Sequence, residues 1–296
     1  MLGVRRVLKG TNMSKIRVRY SKTGKARYIS HLDLMSTMQR AFIRAGVRLK
    51  YSEGFNPHPY ISVALPLPVG CGSVCELMDI GLMDIGLTDT GFTDTGSQGT
   101  GMINAGSQDT SLQADEQYNE IAARVNASLP DGIHINEVYI SDRKFSEIAW
   151  VQIDGVLTYD NGAPQGAAAR LAEHFSRSSI IITKKTKRGT ADIDVAPHIR
   201  DIGFECVGEG PGGRSSEGLG GSLGEGLGGS LGEGPGGSLG EGPGAIRMTA
   251  TISATDPTIN TGDVMSIINC GPISLKPDYS AFTRLEAFDR SLIKFR

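Results

Sequence analysis

Two low-complexity tracts constrain this chain most, because neither can enter a core. The first runs from about Met83 to Leu112. It copies Met-Asp-Ile-Gly-Leu from 78–82 into 83–87 and then decays into Thr-Asp-Thr-Gly units. The second, Gly208 to Gly244, repeats an eight-residue unit such as Gly-Gly-Ser-Leu-Gly-Glu-Gly-Pro. Stretches of Gly, Ser, Thr and acid lack the large apolar side chains that offset the entropy of ordering a backbone. A short period can signal a solenoid, but units this small and polar are expected as expanded loops inserted into surface connections. They also explain why glycine, 40 of 296 residues, exceeds its usual share of about 7%.

With both tracts set aside, the remaining pattern is regular. Ile16, Val18 and Tyr20 alternate with polar residues, as in a half-buried strand. Ser30-His-Leu-Asp33 resembles a capping box and opens a helix to Ala45, with Leu34, Met35, Met38, Phe42 and Ala45 on one face and Gly46 as its stop. Strands follow at Ile61–Leu65 and Cys75–Leu82, a helix at Gln117–Leu129 and a strand at Ile133–Ile140. The second half repeats the order: strand Ala149–Tyr159, helix Pro164–Phe175, strands Ser179–Thr186 and Ala191–Val195 joined as a hairpin, strand Ile246–Thr255, helix Asp263–Asn269 and strand Ala281–Phe288. The expected fold class is α+β, two tandem ferredoxin-like βαββαβ units with antiparallel sheets backed by helices, plus the two insertions. The expected units are residues 13–142, interrupted at 83–113, and residues 143–296, interrupted at 207–245. Residues 1–12 are expected as an unstructured extension, and either Met1 or Met13 as the start.

Charge is unevenly spread. Residues 1–60 hold thirteen Lys and Arg and two acids, a net of +11 in a chain whose total is −2. Such a basic end points to an anionic partner: nucleic acid, phosphate or an acidic protein face. A solvated basic surface would look the same. There is no apolar run of about 18 residues for a membrane span, and no signal-peptide core near Met1. The four cysteines are therefore expected as thiols in a cytoplasmic protein.

Most of the specific signal lies between residues 22 and 80. Ser30-His-Leu-Asp33 is followed by Arg40-Ala-x-x-Arg44-Ala, then Tyr51-Ser-Glu-Gly-Phe-Asn-Pro-His-Pro59, Leu65-Pro-Leu-Pro-Val-Gly70 and Glu76. This order resembles the radical-SAM-linked domain of unknown function, found fused to or encoded beside radical SAM proteins with a cobalamin-binding-type domain. The resemblance is dense from Ile16 to Asp79, weaker from Tyr118 to Ile140 and patchy beyond. There, Lys184–Pro197 with Asp192-Ile-Asp194 looks like a later strand motif, and the two tracts match nothing. The resemblance implies a non-catalytic accessory or substrate-presenting protein with a radical SAM partner.

The residues carry their own chemistry. Pro57 and Pro59 fix φ and push Asn56 and His58 extended, which makes a stiff loop holding two polar side chains in set directions. A turn in which Asn56 caps the backbone is the plainer alternative. His31 and Asp33 sit at a helix start, where Asp33 suits the macrodipole. Arg40, Arg44 and Arg48, four apart, would form a basic stripe. With Arg17, Arg19, Lys22 and Arg27 they make a basic patch that could bind RNA phosphates or an acidic partner. The candidate binding residues are therefore His31, Asp33, Arg40, Arg44, Ser52, Asn56, His58 and Glu76. No catalytic residue is assigned, though His31, His58 and Glu76 could form an acid–base site. No metal or cofactor is expected. His31, Asp33, His58, Cys71 and Cys75 match no zinc spacing, and Cys71-Gly-Ser-Val-Cys75 lacks the third cysteine of a radical SAM cluster motif, Met78 standing there. The readings are thus an accessory protein docking an anionic partner, an RNA-binding module, or an enzyme.

Overall fold

The computed structural model describes residues 14–83, 110–186, 189–207, 244–272 and 275–296. The extension before the first strand, most of both repeat tracts and the Lys187-Arg188 turn lie outside the described residues, as do the expectations attached to them. The chain is α+β, with strands paired mostly antiparallel. Its two compact units interleave in sequence. One comprises residues up to Tyr20, Leu32–Ala64 and Glu76–Asp142, and the other comprises Ser21–His31, Leu65–Cys75 and Arg143–Arg296.

In the first unit, β1 (Ser14–Lys22) buries Ile16, Val18 and Tyr20, as their alternation requires. α1 (His31–Arg44) packs Leu34, Met38, Ala41 and Phe42 inward, so its buried stripe follows the i, i+4 rule. The helix ends where Gly46 takes φ +73°, with its N–H donating to the carbonyl of Ile43 and that of Val47 to Phe42. This is the left-handed stop that glycine supplies without a Cβ penalty. β2 (Ile61–Val63) pairs antiparallel with β3 (Gly72–Leu82), Ile61 opposite Ile80. α2 (Thr110–Asn126) buries Tyr118, Ile121 and Val125, and β4 (Ile133–Tyr139) closes the unit. The strand order is β4-β1-β3-β2.

The second unit is built on β5 (Trp150–Thr158), whose burial alternates residue by residue. α3 (Ala167–Phe175) and α4 (Thr261–Cys270) contribute Leu171, Phe175, Val264, Ile267 and Ile268 to its core. The imidazole Nε2 of His174 lies 3.0 Å from the Ile267 carbonyl and links the two helices. The hairpin expected around residue 188 is present as β6 (Ile181–Thr186) and β7 (Gly189–Asp194), but it forms a separate two-stranded sheet. Its expected place is taken by a strand the periodicity did not show, β8 (Ile199–Val207), which pairs with β9 (Ala245–Ser253). The last strand, β10 (Tyr279–Phe288), pairs with β5, and the order is β10-β5-β9-β8.

Candidate functional site

The stiff loop stands at the edge of the first unit, and its stiffness has two sources. Leu49 bridges to Leu82 and Tyr51 to Pro59, which pins both legs. Between the legs, the backbone N–H of Ser52 donates to the His58 carbonyl at 2.8 Å, while the His58 N–H donates to the Ser52 hydroxyl at 2.9 Å. Ser52 thus clamps the loop from within, with its side chain half-buried. Gly54, at φ +126°, makes the reversal. At the tip, Phe55 is wholly exposed, at 111% of its reference area. Asn56 and His58 are exposed as well. Neither side chain hydrogen-bonds within the described residues, so the alternative in which Asn56 caps the backbone is not realised.

More aromatic surface surrounds this tip. Tyr51 accepts a 3.4 Å contact from the Gln39 amide of α1, which ties the loop base to the helix. Tyr60 is 45% exposed, with the Lys50 ammonium 5.8 Å from its ring centroid. On α1, Arg40 and Arg44 are exposed, and neither has an acidic partner among the described residues. The Nε of Arg40 donates to the Ser36 carbonyl one turn back, which leaves the rest of its guanidinium toward solvent. Arg48 is exposed and likewise has no acidic partner there, but it lies beyond Gly46 and does not continue a helical stripe.

The rest of the expected basic patch is not one surface. Arg17 is fully buried. Its guanidinium grips Asp79, Nε to Oδ1 at 2.8 Å and Nη2 to Oδ2 at 3.2 Å, and its Nη1 donates to the Ser141 hydroxyl. Strand alternation predicts an outward side chain here, but both faces of β1 are covered, and the buried charge is matched by a carboxylate. Arg19 is mostly covered and lies 3.8 Å from Glu137. Lys22 belongs to the second unit and is buried, its ammonium donating to the Ile29 carbonyl at 2.9 Å. Arg27, in the same unit, spends its donors on the carbonyls of Gly70 and Phe282. His31, the half-buried first residue of α1, also falls in the second unit, whereas Asp33 is exposed in the first turn of the helix. Glu76 is buried in β3 and does not share the exposed surface of His58. An acid–base pair from those two is therefore not presented to one substrate.

Sequence reading missed the aromatic part of this site. Phe55 lies within the Tyr51–Pro59 motif, but its apolar side chain carries no binding signal in sequence. The signal for it is its position between Gly54 and Asn56-Pro57, in a short, stiff loop that holds its tip outward. Among the described residues, no three His, Cys, Asp or Glu side chains converge to hold a metal, and no helix is long and apolar enough to cross a membrane.

By fold this is an α+β protein whose first unit exposes Arg40, Arg44 and Arg48 and the rings of Phe55 and Tyr60. The chain matches, over residues 15–90 and 103–216, the family described as an uncharacterized protein conserved in bacteria (DUF2344), and it belongs to that family. No curated protein matches it.

Proposed function

We propose that the chain is a single-stranded RNA-binding module, not catalytic by itself, whose binding surface is Arg40, Arg44, Arg48, Lys50, Tyr51, Phe55, Asn56, His58 and Tyr60 of the first unit. The observation that carries this reading is Phe55, held wholly in solvent by a clamped loop in a unit whose α1 arginines have no acidic partner among the described residues. Cations follow a phosphate backbone, exposed rings stack bases, and together they suit an unpaired strand better than a duplex. Asn56 and His58 beside the ring could read base edges. The threading of both units, β4-β1-β3-β2 and β10-β5-β9-β8, supports a tandem ferredoxin-like architecture, with β6 and β7 as an addition to the second unit. An accessory role beside a radical SAM enzyme follows from the sequence resemblance alone. In that role the module would hold RNA for its partner, and failure of any radical SAM protein to co-purify with it from native cells would remove the partnership.

Binding is tested with a labelled oligouridylate of about twelve nucleotides, a length within the range of single-strand sites. Phe55→Ala is expected to weaken binding about tenfold, the effect of losing one stacked base. Arg44→Ala is expected to lower the slope of log affinity against log salt by about 0.7. Both positions are exposed, so the thermal midpoint should not move. Absence of binding by the wild-type chain at low salt would overturn the reading.

A further inference from the structure

The motif Leu65-Pro-Leu-Pro-Val-Gly70 takes no part in the basic surface. Within the second unit it forms one wall of a cavity of about 390 Å³. Leu65 and Pro66 line it together with Val151, Ile153, Ile252 and Ile259, so the wall is largely aliphatic. Val151 and Ile153 are two apart on β5, and Ile252 is the ladder partner of Val151, so all three share one face of the sheet. The cavity volume lies toward the lower end of the range of about 300–1,000 Å³ usual for small-molecule sites.

What this cavity can hold follows from how its polar groups are already used. The Thr258 hydroxyl donates to the Ala254 carbonyl at 3.3 Å, and the Asn260 side chain accepts from the Asp263 N–H at 3.0 Å. Arg284, the charged residue of the wall, is engaged by its own chain: its Nη1 donates to the Leu65 carbonyl at 2.8 Å, and it has a further interaction besides. A carboxylate entering here would give up its water without gaining an uncommitted cation, which disfavours anions. Uncharged groups can still serve a ligand. The Asn260 amide and the hydroxyls of Thr258 and Thr261 each have more donor or acceptor sites than those bonds use, so they can meet a neutral oxygen. The aliphatic wall takes up an apolar body in proportion to the area removed from water.

We propose that this cavity binds a neutral molecule with an aliphatic body and one uncharged oxygen at its head. The probes are the straight-chain alcohols from 1-butanol to 1-octanol, with octanoate as the charged molecule of equal length, each titrated calorimetrically into the full chain. 1-Octanol is expected to saturate at one per chain, and affinity should rise about fourfold with each methylene added along the series. Octanoate should bind about tenfold or more weakly than 1-octanol, because its carboxylate is dried without a new charged donor. The amide resonances of Val151, Ile153 and Ile252 should shift with 1-octanol and saturate at the calorimetric constant, while those of Ile16 and Val18 in β1 stay in place. Ala254 also lines the cavity, so Ala254→Leu should fill it and abolish both signals. The alcohol series and the amide shifts use the wild-type chain and decide the matter even where Ala254→Leu fails to fold. No saturable 1-octanol binding, affinity that ignores chain length, octanoate binding as tightly as 1-octanol, or shifts confined to residues outside the cavity would each overturn the proposal.

Discussion

Asp79 pairs with the fully buried Arg17 inside the first unit. It is 4% exposed and takes two hydrogen bonds from the fully buried Arg17, with the Lys15 ammonium also on Oδ2. Burying this pair costs desolvation that its mutual attraction roughly offsets, but removing one partner leaves an unmatched charge in a poor solvent. Asp79→Ala should therefore destabilise the chain by about 3–5 kcal/mol, read as a fall in the urea midpoint. The double variant Arg17→Met with Asp79→Leu should recover most of that loss, and a double variant no better than Asp79→Ala would refute the argument. A second residue is fixed by contact alone. Gly155 sits opposite Phe282 in the β5–β10 ladder, and a Cβ there would lie 2.6 Å from the phenyl ring. The ring has no flexible end to swing away, so Gly155→Ala should cost about 1–3 kcal/mol by overpacking, measured in the same way.

At the scale of elements, the β6–β7 hairpin depends on a carboxylate at its base. Asp194 accepts the backbone N–H of Ile180 at 2.9 Å and that of Ala196 at 3.1 Å. Those bonds, the one from Ile180 foremost, hold the Asp194 carboxyl below the ordinary aspartate value of 3.8. A depressed folded-state pKa contributes stability that is present above the unfolded value and is lost as pH falls through the folded one. The amide resonances of Ile180 and Ala196 should consequently titrate with a midpoint under 3.8, and Asp194→Asn should abolish that step. A midpoint at or above the ordinary value would show that the carboxylate is not bound. The hairpin itself was legible in sequence, but β8 was not. It is an edge strand, so its burial does not alternate, and its register shifts between Arg200 and Gly203, with Asp201 at φ +49°. A bulge adds a residue to one strand and breaks the period of two on which sequence reading relies. By contrast, α1 and β5 carry unbroken periods, and their faces could be read directly.

For the whole chain, the candidate site was legible as a segment but not as a surface. The Ser52–Pro59 loop and the α1 arginines follow from prolines, glycine and spacing, all of which are local. Which charges remain outside is decided by residues far along the chain. Asp79 claims Arg17 across 62 positions, and the Phe282 carbonyl claims Arg27 across 255. The second repeat tract gives the opposite lesson, because its tolerance can be argued from where it begins and ends. Val207 and Ala245 are direct partners in the β8–β9 ladder, so residues 208–243 leave and return at adjacent positions of one hairpin. From its Gly, Ser and Glu composition, the connection is expected to cost chiefly closure entropy, which grows with the logarithm of its length. Replacing residues 208–243 by a four-residue turn of Asn and Gly shortens the loop by roughly three doublings, worth about 2 kcal/mol. The shortened chain should thus be slightly more stable than the full one, with a higher thermal midpoint, unchanged oligouridylate affinity and unchanged protection of the β8 and β9 amides. A lower midpoint would mean that the tract packs against the second unit, in conflict with its Gly, Ser and Glu composition.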